Sequence, residues 1–152
     1  MDTVIDTRTL RLVRVFDAPR ERVFDAWTDA EQFKIWMCPA DCGLDVCELD
    51  ARVGGAWRAR GYAPNRRFAK SGVYLEIKRP ERLVFTWAHH EKDDWASPRV
   101  PETTIEITFR ALPGNKTELT LVQGPFRDAA NFNGHHDGWN GSFDKLALHL
   151  GR

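Results

Sequence analysis

Between Leu44 and Gln123 the chain reads as short alternating segments separated by turn signals, and few folds satisfy that pattern. Strands are expected at Leu44–Asp50, Ala56–Tyr62, Gly72–Lys78, Leu83–His89, Thr103–Ala111 and Thr117–Val122. Gly54-Gly55, Arg79-Pro80-Glu81 and Pro113-Gly114-Asn115 are connections tight enough for antiparallel neighbours, whereas Ala63–Ser71 and His90–Glu102 read as longer loops. Val73, Leu75 and Ile77 alternate with Tyr74, Glu76 and Lys78. Leu83, Phe85 and Trp87 share a phase, and Ile105, Ile107 and Phe109 oppose Glu106, Thr108 and Arg110. One face is apolar and the other wet, as in an antiparallel sheet covered on one side. A sheet this wide curls through strand twist, and its hollow needs an apolar filling.

Only the end of the chain can supply that filling. "FNGHHDGWNGSFDKLALHL" (Phe132–Leu150) carries Phe132, Trp139, Phe143, Leu146 and Leu150 at helical spacing. Its first half also holds Gly134, Gly138 and Gly141, each costing a helix about 1 kcal/mol relative to alanine. Two readings fit. Either the glycines lie on the helix beside a neighbour or an open space, or the helix starts nearer Asp137 and they belong to a loop. At the other end, Thr9–Phe16 alternates as a first strand. Pro19, Val23, Phe24 and Trp27 then mark a short helix, and Asp29 with Gln32 caps a second one carrying Phe33, Trp36 and Met37. The expected architecture is α+β, a single domain over residues 1–152. Its curved antiparallel sheet wraps a long C-terminal helix, and two short helices follow the first strand.

Composition narrows the function classes. The 152 residues hold 22 basic and 22 acidic side chains, so no overall field favours nucleic acid or an anionic membrane. Arg58, Arg60, Arg66, Arg67 and Lys70 cluster locally, which a solvated strand face and loop explain. No stretch approaches the roughly 20 apolar residues of a membrane span, and the start lacks a secretory layout. Cys38, Cys42 and Cys47 fit reduced thiols and a cytoplasmic location. Motifs for chemistry are missing as well: "NGSFD" around Ser142 is not a nucleophile elbow, and no H-E-x-x-H occurs. His89 and His136 lack a third metal ligand with supporting spacing, since only Asp137 or Glu48 offers one. No catalytic set, cofactor or metal is therefore expected.

Five local words occur in a familiar order: "RVFDAPRERVFDAWTDAEQFKIWM", "VGGAWRARG", "SGVYLEIKRPERLVFTW", "TTIEITFRALPGNKTELTL" and "GW" opening the last helix. With them the chain resembles the START-like (SRPBCC, birch-pollen-allergen-type) superfamily. Within it, the chain resembles the subfamily named for the C-terminal domain of the activator of the ninety-kilodalton heat-shock-protein ATPase. The resemblance covers about residues 8 to 150. It implies a helix-grip fold with a cavity between sheet and helix, where superfamily members hold lipids, sterols, polyketides or other apolar molecules. A shared fold does not fix the activity grafted onto it.

Combining the inward phases with that implied cavity gives the candidate ligand-binding residues. They are Trp36, Met37, Trp57, Leu75, Phe85, Trp87, His89, Ile107, Phe109, Phe132, His136, Trp139 and Phe143. Trp87 and Trp139 are expected to face one another across the guest, and the loop His90–Glu102 to border the mouth as a lid. The first functional reading is a binder of a small apolar ligand, with a homodimer left open. A co-chaperone-like interaction module is the alternative, disfavoured because only eight residues precede the first strand. A cyclase- or aromatase-type enzyme using the same cavity is a further alternative.

Overall fold

The computed structural model describes residues 8–39 and 41–151. Strand β1 (Leu10–Phe16) leads into helices α1 (Arg20–Thr28) and α2 (Ala30–Trp36). Six strands follow: β2 (Gly43–Leu49), β3 (Ala56–Ala63), β4 (Arg66–Lys78), β5 (Arg82–His89), β6 (Thr103–Leu112) and β7 (Lys116–Gly124). Helix α3 (Ala129–Leu150) closes the chain. The strands form one sheet in the order β1-β7-β6-β5-β4-β3-β2, and every paired neighbour is antiparallel. This is the expected α+β helix-grip arrangement. No helix among the described residues is long and apolar enough to cross a membrane.

The helix ends follow from local chemistry. The Pro19 carbonyl accepts from Arg22 and Val23 N–H, opening α1, while the Asp29 carboxylate accepts from Glu31 N–H and Gln32 Nε2 to start α2. Asp128 caps α3 by accepting from Asn131 N–H at 2.7 Å. At its far end, the Arg22 guanidinium donates to the carbonyls of His149 and Leu150, placing a cation at the negative pole of the helix. The helix thus starts before all three glycines, which removes the loop reading.

The core is continuous from Phe16, Phe24 and Trp27 through Leu83, Ile105, Ile107, Phe109, Leu119 and Leu121 to Phe143, Leu146 and Leu150. Each fully buried large apolar side chain contributes roughly 1.5–3 kcal/mol. Trp57 reaches it because β4 carries Gly72 at the crossing. A Cβ there would lie 2.0 Å from the Thr86 carbonyl and 2.4 Å from Trp57 Nε1, which donates to that carbonyl at 2.9 Å.

Two expectations about β4 are corrected. The segment Ala63–Ser71 is not a long loop: Pro64-Asn65 is a two-residue turn, and Ala63 pairs directly with Arg66. The inward phase of the strand is also different. Phe68, Lys70, Gly72 and Tyr74 face the helix side, and the register then shifts between Tyr74 and Glu76. Leu75 falls at this bulge, 49% exposed on the outer face, and Val73 is exposed with it. Ile77 returns to the core beyond the bulge. Leu75 is therefore no cavity residue, because the alternation does not run through an irregular register.

Candidate binding cavity

A cavity of about 600 Å³ lies where β4 and β5 meet the first half of α3. From the sheet it receives Phe68, Lys70, Trp87 and His89, and Met37 enters from the end of α2. From the helix it receives Asn131, Gly134, His135, Gly138, Trp139 and Ser142, which recur every three or four residues and so form one helical face. A Cβ built on Gly134 or Gly138 meets nothing within 4 Å. These glycines do not serve close packing; they leave the helix wall bare toward open space.

Lys70 is the unusual group. It is 8% exposed, and its ammonium lies 4.6 Å from the Trp87 ring centre and 4.7 Å from that of Phe68. Cation–π attraction of this kind offsets about 0.5–2 kcal/mol of the desolvation cost. No carboxylate of the described residues lies within ion-pair distance of it. Burial pulls its pKa down to about 8.

Two histidines share the wall. His89 pairs with Lys70 across the β4–β5 ladder, and His135 lies 5.6 Å from it, ring centre to ring centre. Burial, reinforced by the Lys70 charge, pushes His89 down to about 2. Burial also lowers His135, whose Nδ1 donates to the Asn131 carbonyl at 2.9 Å, leaving Nε2 as the acceptor of the neutral ring. A chain of buried hydrogen bonds fixes the indole at the cavity floor. Trp139 Nε1 donates to Gln123 Oε1 at 2.7 Å, Gln123 Nε2 donates to Thr103 Oγ1, and Thr103 donates to the Trp87 carbonyl.

The expected site residues divide into groups. Met37, Trp87, His89 and Trp139 line the cavity. Trp36, Trp57, Phe85, Ile107, Phe109 and Phe143 are buried in the solid core behind it. Trp87 and Trp139 touch, with ring centres 5.5 Å apart, so no guest space lies between them; the cavity lies against the pair. Phe132 packs on Phe126, and His136 stacks on Phe132 away from the cavity. His135 holds the place expected for His136, since the position four residues before Trp139 faces the sheet and the position three before it does not.

The loop His90–Glu102 is more constrained than a lid. His90, Glu91, Lys92 and Val100 form part of the rim. Its centre is fastened elsewhere: Trp95 lies under the guanidinium of Arg58 at 4.1 Å on the outer face and donates to the Lys70 carbonyl at 3.2 Å. His90 is held at both ring nitrogens, by Ser71 Oγ at 2.7 Å and the Ser97 carbonyl at 2.8 Å.

Comparison with known proteins adds the lineage. The chain is similar over 93% of its length to a protein from Chromobacterium violaceum, at 31% identity, covering 96% of that protein with a TM-score of 0.81. An AHSA1 protein from Silicibacter pomeroyi superimposes with a TM-score of 0.82 at 27% identity, over 94% of this chain and 97% of that one. A protein from Nitrosomonas europaea gives 0.79 at 25% identity, over 95% of each chain. No curated protein matches. The model of the family described as Activator of Hsp90 ATPase homolog 1-like protein matches residues 17–151. With its helix-grip fold and that match, the chain belongs to the Activator of Hsp90 ATPase homolog 1-like family of the SRPBCC (START-like) superfamily.

Proposed function

We propose that this domain binds one small, largely apolar molecule in the cavity between the sheet and the first half of α3. The observation that carries the reading is the bare helix wall. Gly134 and Gly138 face open space on a helix that alanine would stabilise, opposite the rings of Trp87 and Phe68. The cavity volume lies within the range of small-molecule sites, roughly 300–1,000 Å³, and aromatic walls with a few polar groups match their usual chemistry. A lipid, a sterol-like molecule, a polyketide or a simple aromatic all fall within that class.

The test uses N-phenyl-1-naphthylamine, an uncharged probe that fluoresces in apolar surroundings and accepts energy from nearby indoles. Wild-type protein should show a saturable rise in probe emission with quenching of tryptophan emission. Gly138→Leu fills the bare wall and should weaken the probe by at least about tenfold while the protein stays folded. Unchanged probe binding in that variant would show that the probe sits elsewhere. A strongly destabilised variant would mean that the wall is packed rather than open, and either result overturns the reading.

A further inference from the structure

We propose that the guest of this cavity is an organic anion, a flat apolar body carrying one acidic group that pairs with Lys70. The inference rests on the reading of the cavity as a small-molecule site and adds the charge of the occupant. Its basis is an incomplete electrostatic arrangement. The cavity wall carries Arg66, Arg67, Lys70, Lys92 and Arg127 against Glu91 alone, although the whole chain is neutral. Arg67 is answered by Asp45 and Asp93, and Arg127 by Asp128. Lys70 is the member buried inside, and among the described residues no carboxylate answers it.

The neighbours of Lys70 cannot supply the missing charge. Burial pushes the Cys38 thiol up to about 12 despite the nearby ammonium, so it stays neutral. His89 and His135 are likewise held neutral, and neither can become an anion. Two aromatic rings hold the ammonium from the sides, and rings accept a cation without neutralising it. A buried charge without a partner is costly, and an opposite charge brought by a ligand offsets that cost. The acidic group of a ligand meets that need, and the rings of Phe68, Trp87 and Trp139 take its apolar body. A small inorganic anion satisfies only the first of these features.

The experiment displaces N-phenyl-1-naphthylamine from the protein with two competitors of the same shape, 2-naphthoate and uncharged 2-naphthamide, at neutral pH and fixed salt. On wild type, 2-naphthoate should compete at a concentration lower than the amide by at least about tenfold, as one charge-assisted pair with a buried ammonium provides. Lys70→Met should reduce the preference to within about twofold, chiefly by weakening 2-naphthoate, whereas Lys70→Arg should keep most of it. Lys70→Gln repeats the test if the methionine variant does not fold. Equal competition on wild type, displacement by neither compound, or a preference that survives loss of Lys70 would each overturn the anion assignment. If the probe itself does not bind, the small-molecule reading fails first and this inference falls with it; probe binding without an anion preference sinks the inference alone.

Discussion

The two ends of α3 rest on the same sheet and have opposite designs. Toward Leu150 the helix presents Phe143, Leu146 and Leu150 to Phe16, Phe24 and Trp27, and the space is filled. Toward Ala129 it presents Gly134, His135 and Gly138 to Lys70, Trp87 and His89, and the space is open. The difference is one of residue choice rather than of backbone, since the helix runs unbroken across both. One end holds the fold together; the other gives up stability that a filled cavity would provide. Trp139 marks the border, packing on Trp27 on one side and lining the cavity on the other.

The largest effect should come from breaking the filled end. Phe109 is buried in edge contact with Phe24, their ring centres 5.2 Å apart, and lies behind the cavity rather than on its wall. Phe109→Ala should cost about 3–5 kcal/mol in urea unfolding, the usual range for emptying such a site. A cost below about 1 kcal/mol would show that this end is not close-packed and would erase the contrast.

At the open end the sign should reverse. Lys70 is charged and buried in the free protein, so Lys70→Met should raise stability at neutral pH by about 1–3 kcal/mol, the desolvation cost less what the rings return. The gain should depend on pH. Lys70 titrates near 8 when folded, against 10.5 as its ordinary value. Between those values the unfolded chain binds more protons, so the wild type gains stability as pH rises through that window and the variant does not. The advantage of the variant should therefore shrink from about pH 8 upward. Cys38 and Cys47, raised to about 12 and about 11 from 9.0, act oppositely above pH 9, and because Cys38 feels the Lys70 charge the two proteins are compared below that pH. A pH-independent gap between the two unfolding curves would count against a buried ammonium. His89 supplies an acid counterpart. Its folded value near 2 against 6.5 means that stability falls as pH drops below 6.5, and His89→Gln should flatten part of that fall.

The filled end was legible in the sequence and much of the open end was not, for a physical reason. Periodicity reports burial against apolar partners, and Phe85, Ile107, Phe109, Phe143 and the two short helices follow it strictly. A cavity lined by glycine, lysine and histidine breaks that pattern by construction. Lys70 read as part of a solvated basic cluster because the turn Pro64-Asn65 is inconspicuous, so the phase of Phe68, Lys70 and Gly72 had no strand to belong to. Leu75 read as buried because the bulge at Tyr74 leaves no mark in a single sequence. His135 and His136 both satisfy helical spacing to Trp139, and only the rotation of α3 on the sheet separates them. The hydrogen-bonded chain through Gln123 and Thr103 depends on pairing two distant strands, which local reading does not reach.

The smallest effect offers the sharpest test of the contrast, because it adds only one carbon. A methyl group at Gly138 would meet no atom within 4 Å, so Gly138→Ala carries no steric cost and gains helix propensity. It should raise stability by up to about 1 kcal/mol, and Gly134→Ala should do the same. For a domain of this size that is a shift of about 2–4 °C in Tm per kcal/mol, readable in matched thermal scans. The same substitution at Gly72 serves as its mirror. There the new carbon would lie 2.0 Å from the Thr86 carbonyl oxygen, so Gly72→Ala must distort the β4–β5 ladder and should lower stability. Opposite signs for one chemical change at two glycines follow if α3 borders real space. Loss of stability at Gly138 as well would mean that the helix is packed there, and the two ends of α3 would then be alike.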